Sequence, residues 1–430
     1  MSDTTHAIRP NSNERLNIME ASATALRSRG LIHRLAEDTR LEGRHITLGG
    51  RRLVNFGSCS YLGLETDARL KAGACEAVLR YGTQFSSSRA YVGVPLYGEF
   101  QALLREMVGG LPTVVAQTTT LGHMAAMPVL IGDNDAVLYD VQVHNSVQAV
   151  LPTLQQRGIP CEPVRHNRLD RLEQRVQKLS QKYQRVFYLC DGIYSMHGDA
   201  LDVDALFALL DRQPSLFAYI DDAHGVGWAG RHGAGIVLGT RGIHERMLVT
   251  LGLAKSFAAA GAAIVVPNEE LADRIFTCGS TMIFSGPLQP AQLGAGIASA
   301  KLHLSGELAP LQRRLVGFIE TFDRAAQFEG LTTQSPVPTP IRFMEIGAEE
   351  TAMGVGEALQ AAGYFVNVAV FPAVPRRRAG IRVMLNAHQT EADIRGLVSS
   401  LAALLDSTPK SGKVRIQSVV EGVLDEQLTA

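Results

Sequence analysis

The chain is poor in cysteine: Cys59, Cys75, Cys161, Cys190 and Cys278 are scattered through 430 residues, with no CxxC pair among them. An odd count at such spacing excludes a disulfide framework and a cysteine zinc centre, and no other metal site is expected. Long apolar runs are missing as well. No stretch reaches the roughly 18 residues that a helix needs to cross a bilayer, and the polar start MSDTTHAIRPNSNERLN lacks the apolar centre of a secretory leader. Charge of one sign is also absent. The 41 basic and 42 acidic residues leave a net charge of −1 without a dense basic run, which excludes a nucleic-acid partner. These absences point to a soluble cytoplasmic protein with no membrane span.

Hydrophobic residues make up 46% and charged residues 19%, enough apolar surface for a large interior. The length exceeds the ~250–300 residues over which a single core keeps growing, so more than one packed unit is expected. Residues 1–55 read as a polar arm, a helix from about Ile18 to Leu35, and a hairpin over 44–56. Gly49-Gly50, at the centre of that hairpin, is a two-residue turn signal. From 56 to 308, apolar strands alternate with helices. AVLYD (136–140), RVFYLCD (185–191), LFAYIDD (216–222), MLVTLG (247–252) and AAIVVP (262–267) are interleaved with helical patterns over 170–183 and 202–213. Strands this apolar predict a mainly parallel sheet covered on both faces, an α/β architecture. Residues 309–408 change character and predict a smaller C-terminal α+β domain, and 409–430 form a tail.

Within VTLGLAKSFAAAGAAIVVP (249–267) the one charge is Lys255. A solitary lysine more often extends its stem to water, but here other groups accompany it. Asp221 ends an apolar strand, His224 follows three residues later, and Lys255 comes after the next strand. Pyridoxal phosphate requires such a set: an amine to condense with its aldehyde and a carboxylate to keep its ring nitrogen protonated.

At these residues the chain resembles the α-oxoamine synthases, pyridoxal-phosphate enzymes of fold-type I. The likeness runs from about Asn55 to His388 through ordered blocks: SYLGL (60–64), YGTQFSSSRAYVG (81–93), VHNSV (143–147), DGIYSMHGD (191–199), IDDAHGVG (220–227), AKSFAAAGAAIV (254–265), FSGPLQPAQ (284–292) and GIRVMLNAH (380–388). The resemblance implies that Lys255 carries the cofactor, Asp221 pairs with its ring nitrogen, His224 approaches its phenolic oxygen, and His144 stacks on the ring. Ser195 would lie beside cofactor or substrate, and Arg382 would grip the substrate carboxylate. Thr119, Thr120, Thr250 and Ser285 would hold the phosphate, and Ser88 and Arg89 would border the substrate. It also implies a homodimer with shared active sites, FSGPLQPAQ being the segment that crosses over.

The chain departs from the family pattern at several of these points. Thr119 and Thr120 replace a glycine–aromatic pair, and His123 replaces an asparagine. Gly252 stands where a phosphate-binding threonine is usual, and Gly286 follows Ser285 where a threonine is usual. QFSSSR (84–89) replaces a glycine-rich element, placing Gln84, Phe85, Ser86 and Ser87 where smaller residues leave room for substrate. Cys59 takes an asparagine position. None of these changes removes a part that the amine chemistry requires. The expected activity is an acyltransferase condensing an amino acid with an acyl thioester, borne by coenzyme A or a carrier protein, to an α-aminoketone. Transamination, aldol or lyase chemistry, and a non-catalytic partner subunit, remain as alternatives.

Overall fold

The computed structural model describes residues 13–407 apart from 336; the expected arm up to residue 12 and the 409–430 tail lie outside them. The first helix is Glu14–Ser28, shorter at its end than the expected Leu35. Gly30 adopts φ +66, Leu31 N–H bonds to Leu26 O at 2.9 Å and Gly30 N–H to Arg27 O at 2.9 Å. This is a Schellman closure, with Leu26 and Leu31 both buried. The hairpin follows as β1 (His45–Leu48) and β2 (Arg51–Asn55). Its turn residues Gly49 and Gly50 both have positive φ, as the strand twist demands of a tight connection.

The main sheet contains β3 (Thr113–Ala116), β4 (Asp135–Asp140), β5 (Cys161–Val164), β6 (Arg185–Asp191), β7 (Leu216–Asp221), β8 (Met247–Gly252) and β9 (Ala262–Val265). Its order is β3-β9-β8-β7-β6-β4-β5. Neighbours from β8 through to β5 are parallel, and β9 alone in this sheet runs against its neighbours. Successive side chains of a strand point to opposite faces. Val186, Tyr188, Ala218 and Ile220 meet Leu172, Val176, Leu206 and Leu209 on one side. Phe187, Leu189, Tyr219 and Ile264 meet Ala125, Ala126, Met127 and Ile275 on the other. Double coverage explains why these strands read as continuous apolar runs rather than alternating ones.

A second, antiparallel sheet consists of β10 (Ile341–Gly347), β13 (Ala379–Met384) and β12 (Asn367–Ala369), with β13 central. Its side chains Ile381 and Val383 pack with Ile319, Phe322, Leu397 and Leu401 of the helices Leu308–Phe328 and Glu391–Ser407. The two-residue strand β11 (Tyr364–Phe365) pairs with β2, joining the N-terminal hairpin to this part of the chain.

Candidate active site

Strands β4, β6, β7 and β8 end at Asp140, Asp191, Asp221 and Gly252, and ligands of open parallel sheets bind beyond such carboxyl ends. His144 follows β4 and Lys255 follows β8, so the topology gathers residues from distant segments at one edge.

Asp221 is buried there. Its Oδ1 accepts the Ala223 N–H at 3.0 Å, and its Oδ2 lies 3.0 Å from His123 Nε2. Burial by itself raises the Asp221 pKa, but the hydrogen bond and charge of His123, with Lys255 and His144, overcome it and hold the carboxyl at about 2. Alternation along the strand turns the adjacent Asp222 away. Its Oδ2 accepts the Val237 N–H at 3.1 Å, and burial pushes its pKa up to about 8. The paired aspartates of the motif therefore have separate functions: one faces the site, the other anchors the start of the helix Gly235–Arg241.

Lys255 lies half-buried in the turn between β8 and β9, where Ala258 N–H bonds to its carbonyl at 3.0 Å. Its charge acts on Asp221, Asp191, His144 and His224. His224 is buried, with Nδ1 2.7 Å from the Tyr61 hydroxyl. Burial, then the charges of Lys255, Arg382 and His144, push its pKa well down, so the ring is neutral. Burial likewise keeps the Tyr61 hydroxyl protonated. With Tyr61 donating to Nδ1, the imidazole proton sits on Nε2 as a hydrogen-bond donor.

His144 caps the short helix Asn145–Gln148, its Nδ1 accepting the Ser146 N–H at 3.2 Å. The residue is exposed overall, yet desolvation lowers the ring's pKa against the pull of Asp221. Arg382 lies on β13 between Phe343 and Asn367. It is 8% exposed, its buried Nε has no hydrogen-bond partner among the described residues, and Nη2 makes a weak 4.0 Å contact with Cys59 Sγ. A buried guanidinium in this state has capacity for an incoming carboxylate.

The helix Thr119–Leu130 begins beside this group. Thr118 caps it, accepting the Leu121 N–H at 3.1 Å. The Thr119 and Thr120 amides are left at the open first turn, where anions bind. The structure explains Gly252 here: a Cβ would lie 2.6 Å from Ala223 Cβ and 3.1 Å from Thr119 Cγ2. Glycine lets the strand end, the Asp221 loop and the helix start converge.

Other expected residues have different surroundings. The buried Thr250 hydroxyl is 3.0 Å from the Tyr219 hydroxyl. Ser285 donates to Gln117 Oε1 at 3.1 Å, just before the helix start. Ser88 donates to Ile283 O at 2.6 Å, and Arg89 donates to Val115 O at 2.7 Å while its guanidinium lies 3.8 Å from the Tyr97 ring centre. Ser195 is half-buried in the turn after β6.

Three residues of the site escaped sequence reasoning. Tyr61, inside SYLGL, orients His224. Asp191, which opens DGIYSMHGD, accepts the His144 N–H at 3.1 Å. His123 was visible as a departure from the family pattern, and its partner Asp221 was not.

The sequence matches the family model of the class I and II aminotransferases over residues 51–401. It is 30% identical over 411 residues to an 8-amino-7-oxononanoate synthase of Anaeromyxobacter dehalogenans, covering 93% of this chain and 98% of that protein. A protein of the same name from Maricaulis maris is 29% identical over 383 residues, covering 88% and 93%. Among solved structures, serine palmitoyltransferase from S. paucimobilis superposes with a TM-score of 0.83 at 20% identity, covering 92% of this chain and 98% of that one. The 8-amino-7-oxononanoate synthase of Francisella tularensis gives 0.70 at 19%, covering 82% and 98%. At these identities the structural likeness establishes the fold.

Proposed function

The chain belongs to the class I and II aminotransferase family, in its α-oxoamine synthase branch, and from that premise we propose that it is a pyridoxal-phosphate-dependent acyltransferase. It condenses an amino acid with an acyl thioester, carried by coenzyme A or an acyl-carrier protein, and releases the amino-acid carboxylate to give an α-aminoketone. The observation that carries this reading is Arg382, a buried guanidinium whose Nε has no partner among the described residues and whose charge reaches His224 and His144.

The residues fit the cofactor. Asp221 keeps lone pairs beyond its two hydrogen bonds, since a carboxylate has about four acceptor sites. The Thr119 and Thr120 amides suit a phosphate, and Lys255 supplies the amine. When bound, pyridoxal phosphate provides an electron sink for negative charge at the substrate Cα.

The protein's own groups do the rest. Asp221, held anionic, would stabilise positive charge at the ring nitrogen. His224 Nε2–H would donate toward the phenolic oxygen. Arg382 takes the amino-acid carboxylate in a two-pronged grip and orients Cα. Lys255 Nζ, once neutral, removes the Cα proton as general base. His144, with Nδ1 held by Ser146, presents Nε2–H and can polarise the thioester carbonyl.

The same reading includes a homodimer. Tyr91, Val92 and Phe284 are exposed at 88%, 52% and 86%, and the Ser88–Ile283 hydrogen bond brings their segments together. Exposed apolar side chains on neighbouring segments suit an interface.

Purified holoenzyme offered amino acids and acyl thioesters should release thiol and carbon dioxide together, and Lys255→Ala should abolish both. Amino acids that perturb the cofactor spectrum while no thioester is consumed would sink the acyltransferase reading.

A further inference from the structure

His123 stands on the helix Thr119–Leu130, wholly buried. Its Nε2 lies 3.0 Å from Asp221 Oδ2, and its Nδ1 lies 2.8 Å from the Tyr219 hydroxyl. That hydroxyl in turn lies 3.0 Å from Thr250 Oγ1. The four side chains form an unbroken buried chain behind the carboxylate.

The donors along it can be counted. Thr250 O–H donates to the Tyr219 oxygen, Tyr219 O–H donates to His123 Nδ1, and His123 Nε2–H donates to Asp221. Burial keeps the Tyr219 hydroxyl protonated, raising its pKa beyond the ordinary phenol range. If the imidazole gains a second proton, the outer bonds reverse and Nε2–H still points at Asp221. Both arrangements direct an N–H at Oδ2, and neither lets Asp221 hold its proton there. An asparagine at this position offers one N–H of this kind but no link onward to Tyr219.

We infer that His123 is a positioning residue for the cofactor's ring nitrogen: it keeps Asp221 deprotonated and fixes the carboxylate plane. The Asp221 carboxylate is then free to hold the ring nitrogen protonated. This rests on the pyridoxal phosphate reading above. Lys255 and His144 also face Asp221, and Asp191 stands beside it as an opposing carboxyl, so the effect must be read at the ring nitrogen itself rather than in overall activity.

The test uses holoenzyme reconstituted with pyridoxal phosphate carrying nitrogen-15 in the ring, followed by NMR from pH 6 to 9. Wild type is expected to keep the ring nitrogen protonated throughout. His123→Phe is expected to lose that proton at a pH lower by about one unit or more, and His123→Asn, which retains a donor, to restore most of the difference. A His123→Phe holoenzyme whose ring nitrogen titrates like wild type overturns the inference. Should that variant fail to fold, the imidazole nitrogen-15 spectrum of the wild-type holoenzyme decides: Nε2 must remain protonated over the same range, and an unprotonated Nε2 overturns it. Borohydride trapping on the same samples separates the two readings. No pyridoxyl adduct at Lys255 in wild type removes the cofactor assignment, whereas a normal adduct with an unaffected ring nitrogen removes the role of His123 alone.

Discussion

Asp191 and Asp221 stand opposite each other in register at the ends of β6 and β7, and only one of them holds a charge. Asp221 has the His123 donor. Asp191 has burial and the Asp221 charge against it, which push its pKa well up. Asp191→Asn therefore replaces a neutral group with a neutral isostere that still accepts the His144 N–H, and cofactor affinity should change less than threefold or so. Asp221→Asn removes a charged hydrogen-bond acceptor, worth about 1.5–3 kcal/mol, and should weaken cofactor binding by roughly 10- to 100-fold. Equilibrium dialysis of both variants against pyridoxal phosphate measures this. Equal losses would mean that the two carboxyls are not differentiated as described.

Arg382 sets stability against function. The buried guanidinium costs desolvation that no carboxylate among the described residues repays at Nε. Arg382→Met should leave the apo-protein's thermal midpoint unchanged or raised. The same variant should raise KM for the amino acid by roughly 10- to 100-fold while KM for the thioester stays put. Scanning calorimetry and initial rates check the two halves separately. A lowered midpoint together with an unchanged KM would assign Arg382 to structure.

Gly252 tests whether the departure from the family pattern is imposed by packing. Threonine there would drive Cβ to within 2.6 Å of Ala223 Cβ, an overpacking that typically costs about 1–3 kcal/mol. Gly252→Thr should lower the urea midpoint, and adding Ala223→Gly should recover part of the loss. A single variant as stable as wild type would show that the loop after β7 yields freely.

The parallel sheet was legible because β6, β7 and β8, covered on both faces, must be apolar throughout, and the site followed from where they end. The end of the first helix was less so. Apolar spacing continued past Ser28, and the stop depended on Gly30 entering the left-handed region and Leu31 folding back onto Leu26. At the site, residues adjacent in sequence could be grouped, as in the Asp221–His224 motif. Partners 98 and 163 positions apart, His123 with Asp221 and Tyr61 with His224, had no sequence signal beyond their membership of separate blocks. Thr250 is a different case: the resemblance alone assigns it to the phosphate, and its hydroxyl lies 3.0 Å from that of Tyr219.

His166 carries a pH dependence of stability that lies apart from catalysis. Its Nδ1 is 2.9 Å from Asp140 Oδ1 and its Nε2 is 2.6 Å from Asp199 Oδ2, so each ring nitrogen donates to a carboxylate and the ring is an imidazolium. Burial lowers its pKa, but the two carboxylates outweigh burial and raise it to about 9. A raised cation contributes stability in full below its unfolded pKa of about 6.5, and that contribution fades as pH climbs through the folded value. Wild type should therefore lose stability relative to His166→Gln as pH rises from about 6.5 to about 9, the gap being widest at the acid end. Other buried groups, Asp191 and Asp222 among them, tilt both curves alike, so the difference between the two proteins isolates His166. Urea titrations at half-unit intervals give that difference directly. Parallel curves across the window would mean that the ring is neutral between its two aspartates.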